Sequence, residues 1–77
     1  MTREELRNTK DYKEAMAKIE AYHKGFRFTI DYTQIPRAKA NGLRFILRDA
    51  CKSGLLESVQ IGLSLEGETT DETYVRL

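Results

Sequence analysis

The apolar residues of this chain change spacing from helical to alternating and back, and most changes fall at a glycine or a proline. This switching limits the fold more than any other feature. Apolar residues every three or four positions share one helix face, whereas apolar residues at every second position share one strand face. In the first stretch, Tyr12, Ala15, Met16, Ile19, Tyr22 and His23 recur at helical spacing up to Gly25. Thr2 and Glu5 fit a capping box ahead of them. Leu6 falls off that stripe, which leaves the first turns either to fray or to form a separate short helix.

Alternation follows in "FRFTIDY" (26–32), where Phe26, Phe28, Ile30 and Tyr32 point one way and Arg27, Thr29 and Asp31 the other. Pro36 suits the first turn of a second helix, with Ala40, Leu43, Ile46, Leu47, Ala50 and Cys51 as its apolar stripe and Gly54 as its stop. Asn41-Gly42 is the place where that helix would break if it broke. Beyond Gly54, Val59, Ile61, Leu63 and Leu65 share one face, with Ser58, Gln60, Gly62 and Ser64 on the other. "EGETTD" is a polar turn, and "ETYVRL" is extended. The order α-β-α-β-β predicts one α+β domain over residues 1–77, a three-stranded sheet carrying two helices on one face.

A chain of 77 residues has room for one small core and no deep internal cavity. A hydrophobic content of 40% with 32% charged residues describes an ordinary globular chain rather than a disordered one. No apolar run approaches the roughly 18 residues of a membrane span, and "MTREELRNTK" is not the apolar core of a signal peptide. One cysteine cannot form an internal disulfide. A cytoplasmic location without a membrane partner is the expectation.

Charge is polarised although the net charge is only +1. Residues 1–35 are balanced. Segment 36–54 carries Arg37, Lys39, Arg44, Arg48 and Lys52 against Asp49, and segment 55–77 carries Glu57, Glu66, Glu68, Asp71 and Glu72 against Arg76. On a continuous helix Arg37, Asn41, Arg44, Arg48 and Lys52 fall in a band about 80° wide opposite the apolar stripe. Guanidinium groups pair bidentately with phosphate oxygens. Phe45, beside the band, is placed to stack on a base. The plainer alternative is a solvated helix face neutralised by the acidic hairpin of the same molecule.

Helix, strand, helical segment and "KSGLLES" leading into a hairpin resemble, in topology, a winged-helix DNA-binding domain over roughly residues 10–77. The resemblance implies that the helix before the hairpin enters a groove. It requires Thr33–Gly42 to supply a second helix and a turn, and it gives the wing the acidic sequence "EGETTDE".

Other candidates read as structural. His23 lacks a catalytic partner at useful spacing, Cys51 borders the apolar stripe, and together they cannot complete a zinc site. Asp31 and Glu57 lie on different strands, and the glycines form no phosphate-binding loop. No catalytic residue, metal or cofactor is therefore expected. Tyr74 and Arg76 alternate with Val75 and Leu77 and are expected on an open polar sheet face with Arg27, Thr29, Gln60 and Ser64. The expected function is non-catalytic: DNA or RNA binding, or regulation, through Arg37, Asn41, Arg44, Phe45, Arg48 and Lys52. The alternative is a protein-interaction module, a homodimer or an inhibitor-type accessory protein, that uses the open sheet face or the polarised charge.

Overall fold

Two threonines punctuate the N-terminal helical region, and each accepts a backbone N–H three residues further on: Thr2 from Glu5 and Thr9 from Tyr12. The region therefore starts twice. In the computed structural model, which describes residues 2–77, α1 spans Arg3–Arg7 and α2 spans Lys10–Ala21. The Thr9 hydroxyl also donates to the Leu6 carbonyl at 2.7 Å, so one residue closes α1 and opens α2. Of the two expectations for the first turns, a separate short helix is the outcome. The Thr2 half of the capping box is formed. Tyr22 is already extended (φ −66°, ψ 142°), which leaves His23 exposed beyond the helix, its ring edge-on to Phe26 at 5.4 Å.

Strand β1 covers Arg27–Asp31, one residue shorter at each end than the alternation predicts. Tyr32–Gln34 turn into a single 3-10 helix because the Asp31 carboxylate accepts the N–H of Thr33 at 2.9 Å. Helix α3 then runs unbroken over Arg37–Lys52, straight through Asn41-Gly42. It closes in a Schellman motif, in which Leu55 N–H reaches the Ala50 carbonyl and Gly54 N–H that of Cys51. Gly54 supplies the required left-handed conformation (φ +80°). Because one 3-10 turn is all that separates β1 from α3, the helix-turn-helix pair implied by the winged-helix resemblance is absent.

Strands β2 (Leu56–Leu63) and β3 (Thr69–Arg76) complete an antiparallel sheet of order β1-β3-β2. The core lies between one sheet face and the helices: Ile19, Leu47, Ala50, Leu56 and Tyr74 are buried, with Phe28, Ile30, Leu43 and Ile46 packed around them. The fold is thus α+β with three helices rather than two.

Two expectations about the sheet are corrected. Tyr74 is 1% exposed and lies in the core, not on the open face. It pairs with Phe28 on central strand β3, which turns it to the helix side, while Val75 pairs with the exposed Arg27. Arg76 shares the inward orientation and is half-buried against the Leu55 carbonyl. The even alternation read into β2 also fails. The register slips between Ser58 and Gln60, so Val59 is an extra, bulged residue.

Candidate functional site

The cationic row stands on α3 as one continuous surface. Arg37, Asn41, Arg48 and Lys52 are exposed. With a rise of about 1.5 Å per residue the row extends over about 22 Å. Its only interrupting acid, Asp49, is turned away. Arg7 of α1 donates two hydrogen bonds to the Asp49 carboxylate, at 2.8 and 3.0 Å, and the Tyr12 hydroxyl donates a third. The Arg7 bonds, followed by that of Tyr12, hold the Asp49 carboxyl down at about 2. The same contacts raise the Arg7 guanidinium and the Tyr12 phenol. The row keeps its positive sign because α1 engages the one carboxylate of α3. Among the described residues only Arg7–Asp49 and Lys10–Glu14 form ion pairs, and neither involves the row.

Two members of the predicted set are committed elsewhere. Arg44 is half-buried, its guanidinium 4.8 Å from the Tyr32 ring centroid, and it donates to the Thr69 carbonyl at 3.4 Å. Phe45 is not free to stack on a base: it packs on Tyr12, with ring centroids 6.3 Å apart, and Arg7 lies over it at 5.6 Å. The reason is rotational. Phe45 falls on the flank of α3 that meets α1 and α2, where its ring also lines an apolar groove with Leu6, Ala15 and Leu43.

The acidic hairpin approaches one end of the row. Arg37, Asn41 and Arg44 line an open cleft of about 550 Å³ whose opposite wall includes Glu68 and Thr69. Glu68 of the hairpin thus stands across the cleft from the N-terminal half of α3, and no ion pair forms there among the described residues. Arg48 and Lys52 stand clear of that cleft.

On the open sheet face, Arg27 pairs with Val75, Thr29 shares a 2.8 Å hydroxyl bond with Thr73, and Gln60 pairs with Thr73 from the other side. Ser64 is drawn out of that surface into the β2–β3 turn, where its hydroxyl accepts the Glu68 N–H. The open face is thus narrower than expected and comprises Arg27, Thr29 and Gln60, without Ser64, Tyr74 or Arg76.

Sequence reasoning missed a buried polar group. Glu72 is 9% exposed and accepts from the Tyr74 hydroxyl at 2.6 Å and from Ser58, while the Tyr32 and Tyr74 hydroxyls lie 3.2 Å apart. Burial first, then the Glu72 carboxylate, raises the Tyr74 phenol. Burial likewise raises the half-buried Cys51 thiol, which disfavours its nucleophilic thiolate. The available signal was tyrosine in two strands, since a buried phenol needs an acceptor. Among the described residues, no three His, Cys, Asp or Glu side chains gather in a metal-binding arrangement. No described helix is long and apolar enough to cross a membrane. The chain matches no family model, no curated protein and no solved structure.

Proposed function

We propose that this chain is a non-catalytic binding domain that lays the outer face of α3 along a nucleic-acid backbone. One observation carries the reading. An unbroken 16-residue helix presents Arg37, Arg48 and Lys52 to solvent with no ion-pair partner among the described residues. Cations left free of carboxylates keep their full attraction for phosphates and need not break a bond to engage one. Asn41 supplies an exposed amide on the same line, suited to a phosphate or a base edge. Arg44, seated on Tyr32, acts as a fixed part of the surface rather than a mobile contact.

The test is fluorescence anisotropy with labelled duplex DNA and single-stranded RNA over a salt series. Binding should weaken linearly in log salt. Arg48→Glu with Lys52→Glu should flatten that slope by about 0.7–0.9 per lost contact. Both side chains are exposed, so the variant should keep its circular dichroism spectrum. A parent that fails to bind either nucleic acid at low salt, or a double variant that binds as the parent does, overturns the proposal.

A protein partner is the second reading. It is favoured by apolar side chains left uncovered on β2 and just beyond it, where Ile61, Leu63 and Leu65 are 55%, 64% and 104% exposed.

A further inference from the structure

Edge strands of monomeric proteins are commonly protected by lysine, proline or inward-pointing charge. Strand β2 lies at the edge of the sheet, and the eight residues 58–65 carry neither charge nor proline. Its apolar residues become steadily more exposed toward the hairpin tip, from 42% at Val59 to 64% at Leu63, and Leu65 in the turn beyond is 104% exposed. The register explains why. Ile61 pairs with Glu72, two residues from Tyr74, and so lies on the helix-bearing side of the sheet. The strand simply runs on past the helices that should cover it. The opposite edge differs: β1 is five residues long, begins at Arg27 and ends at Asp31.

We infer that β2 is a self-association edge, and that its occupant is β2 of a second copy, paired antiparallel about a two-fold axis at Ile61. This inference deepens the second reading above and shares only Lys52 with the α3 proposal. Two features of the chain favour a second copy over another protein. The first is self-complementarity. Centring the pairing on Ile61 sets Ile61 opposite itself and Gln60 opposite Gly62, and carries Glu57 of one copy toward the uncharged Leu63–Leu65 end of the other, so no acid faces an acid along the strand. Paired residues share a face, so the two apolar rows merge into one patch.

The second is charge. Only three residues separate β2 from the end of α3 at Lys52. An antiparallel partner brings its Glu66 and Glu68 alongside that basic end, while its own basic end receives the acids of the first copy. The polarised sequence becomes complementary across the axis. The register against β3 shifts at Val59 and again between Gly62 and Leu63, so Gln60–Gly62, centred on Ile61, is the regular segment at the axis. Joining two three-stranded sheets gives six strands, near the common size for a sheet.

Cross-linking and sedimentation of the full chain, without nucleic acid, test this. In a Cys51→Ser background, Ile61→Cys places two thiols opposite one another on the axis. Paired residues there have Cα atoms about 4.5–5.5 Å apart, within disulfide reach. Mild oxidation should convert it to a covalent dimer. Thr29→Cys, on the opposite edge strand, should remain monomeric under the same conditions. The parent mass should rise with concentration in sedimentation equilibrium, and Ile61→Lys with Leu63→Lys should abolish that rise while retaining the circular dichroism spectrum. A parent that stays monomeric throughout, or a dimer unaffected by the lysine pair, overturns the inference. Because oligonucleotide is absent, either result is separable from failure of the α3 proposal.

Discussion

Asp49 shows how one side chain serves both stability and surface charge. Its carboxylate ties α3 to α1 through Arg7 and to α2 through Tyr12. With its folded pKa near 2, below its ordinary 3.8, its contribution is complete above about pH 4 and is lost as pH falls toward 2. Arg7 keeps 42% of its side chain in water, so screening limits the pair, and Asp49→Asn should cost about 1 kcal/mol at neutral pH. Thermal melts should show the parent losing stability between pH 4 and pH 2 more steeply than Asp49→Asn; equal slopes would contradict the assignment. Nothing in the sequence indicated this contact. Arg7 and Asp49 are 42 positions apart, and only the break at Thr9 brings α1 across to α3. The row itself was legible, because helical periodicity fixes which residues share a face. The loss of Phe45 and Arg44 to packing was not, since it depends on where neighbouring elements lie.

At the scale of elements, α3 settles what the sequence left open. Asn41-Gly42 reads as a turn in isolation, yet the stripe of buried Ala40, Leu47 and Ala50, with partly buried Leu43, outweighs the local preference of two residues. Gly42 has no neighbouring atom within 4 Å of where a Cβ would stand. Gly42→Ala should therefore raise stability by about 0.5–1 kcal/mol in urea titration and leave binding to α3 unchanged. A destabilised variant would mean that the glycine is required by contacts other than its own helix. Strand β2 shows the opposite outcome. Its alternation was visible, but the bulge at Val59 depends on how β3 aligns, which only the partner strand decides. Tyr74 was misplaced for the same reason: strict alternation alone does not say which of two faces is buried, and on β3 the inward face is the one that carries its single ring, Tyr74.

Over the whole molecule, helices cover one face of the sheet and water reaches the other, which agrees with a shortest dimension of 19 Å against 34 and 32 Å. So thin a body has little interior. Its stability rests on few large residues, and its uncharged strand edge is correspondingly conspicuous. The class of fold was readable from spacing and glycine placement. The direction in which the uncovered apolar row faces was not, since that is a property of the assembled sheet.

Strand β3 follows both of its neighbours in the chain and lies between them, donating to or accepting from each. Neither β1 nor β2 touches the other, so until β3 arrives each lacks any hydrogen-bonding neighbour. The sheet therefore has no two-stranded precursor made from the two earlier strands, and β1 enters it only once β3 is in place. At concentrations below those at which the full chain self-associates, a fragment ending at Glu68 should retain helical ellipticity at most and show no strand signal by infrared spectroscopy. Adding a synthetic peptide of residues 69–77 in trans should restore that signal, with an onset that follows the peptide's concentration.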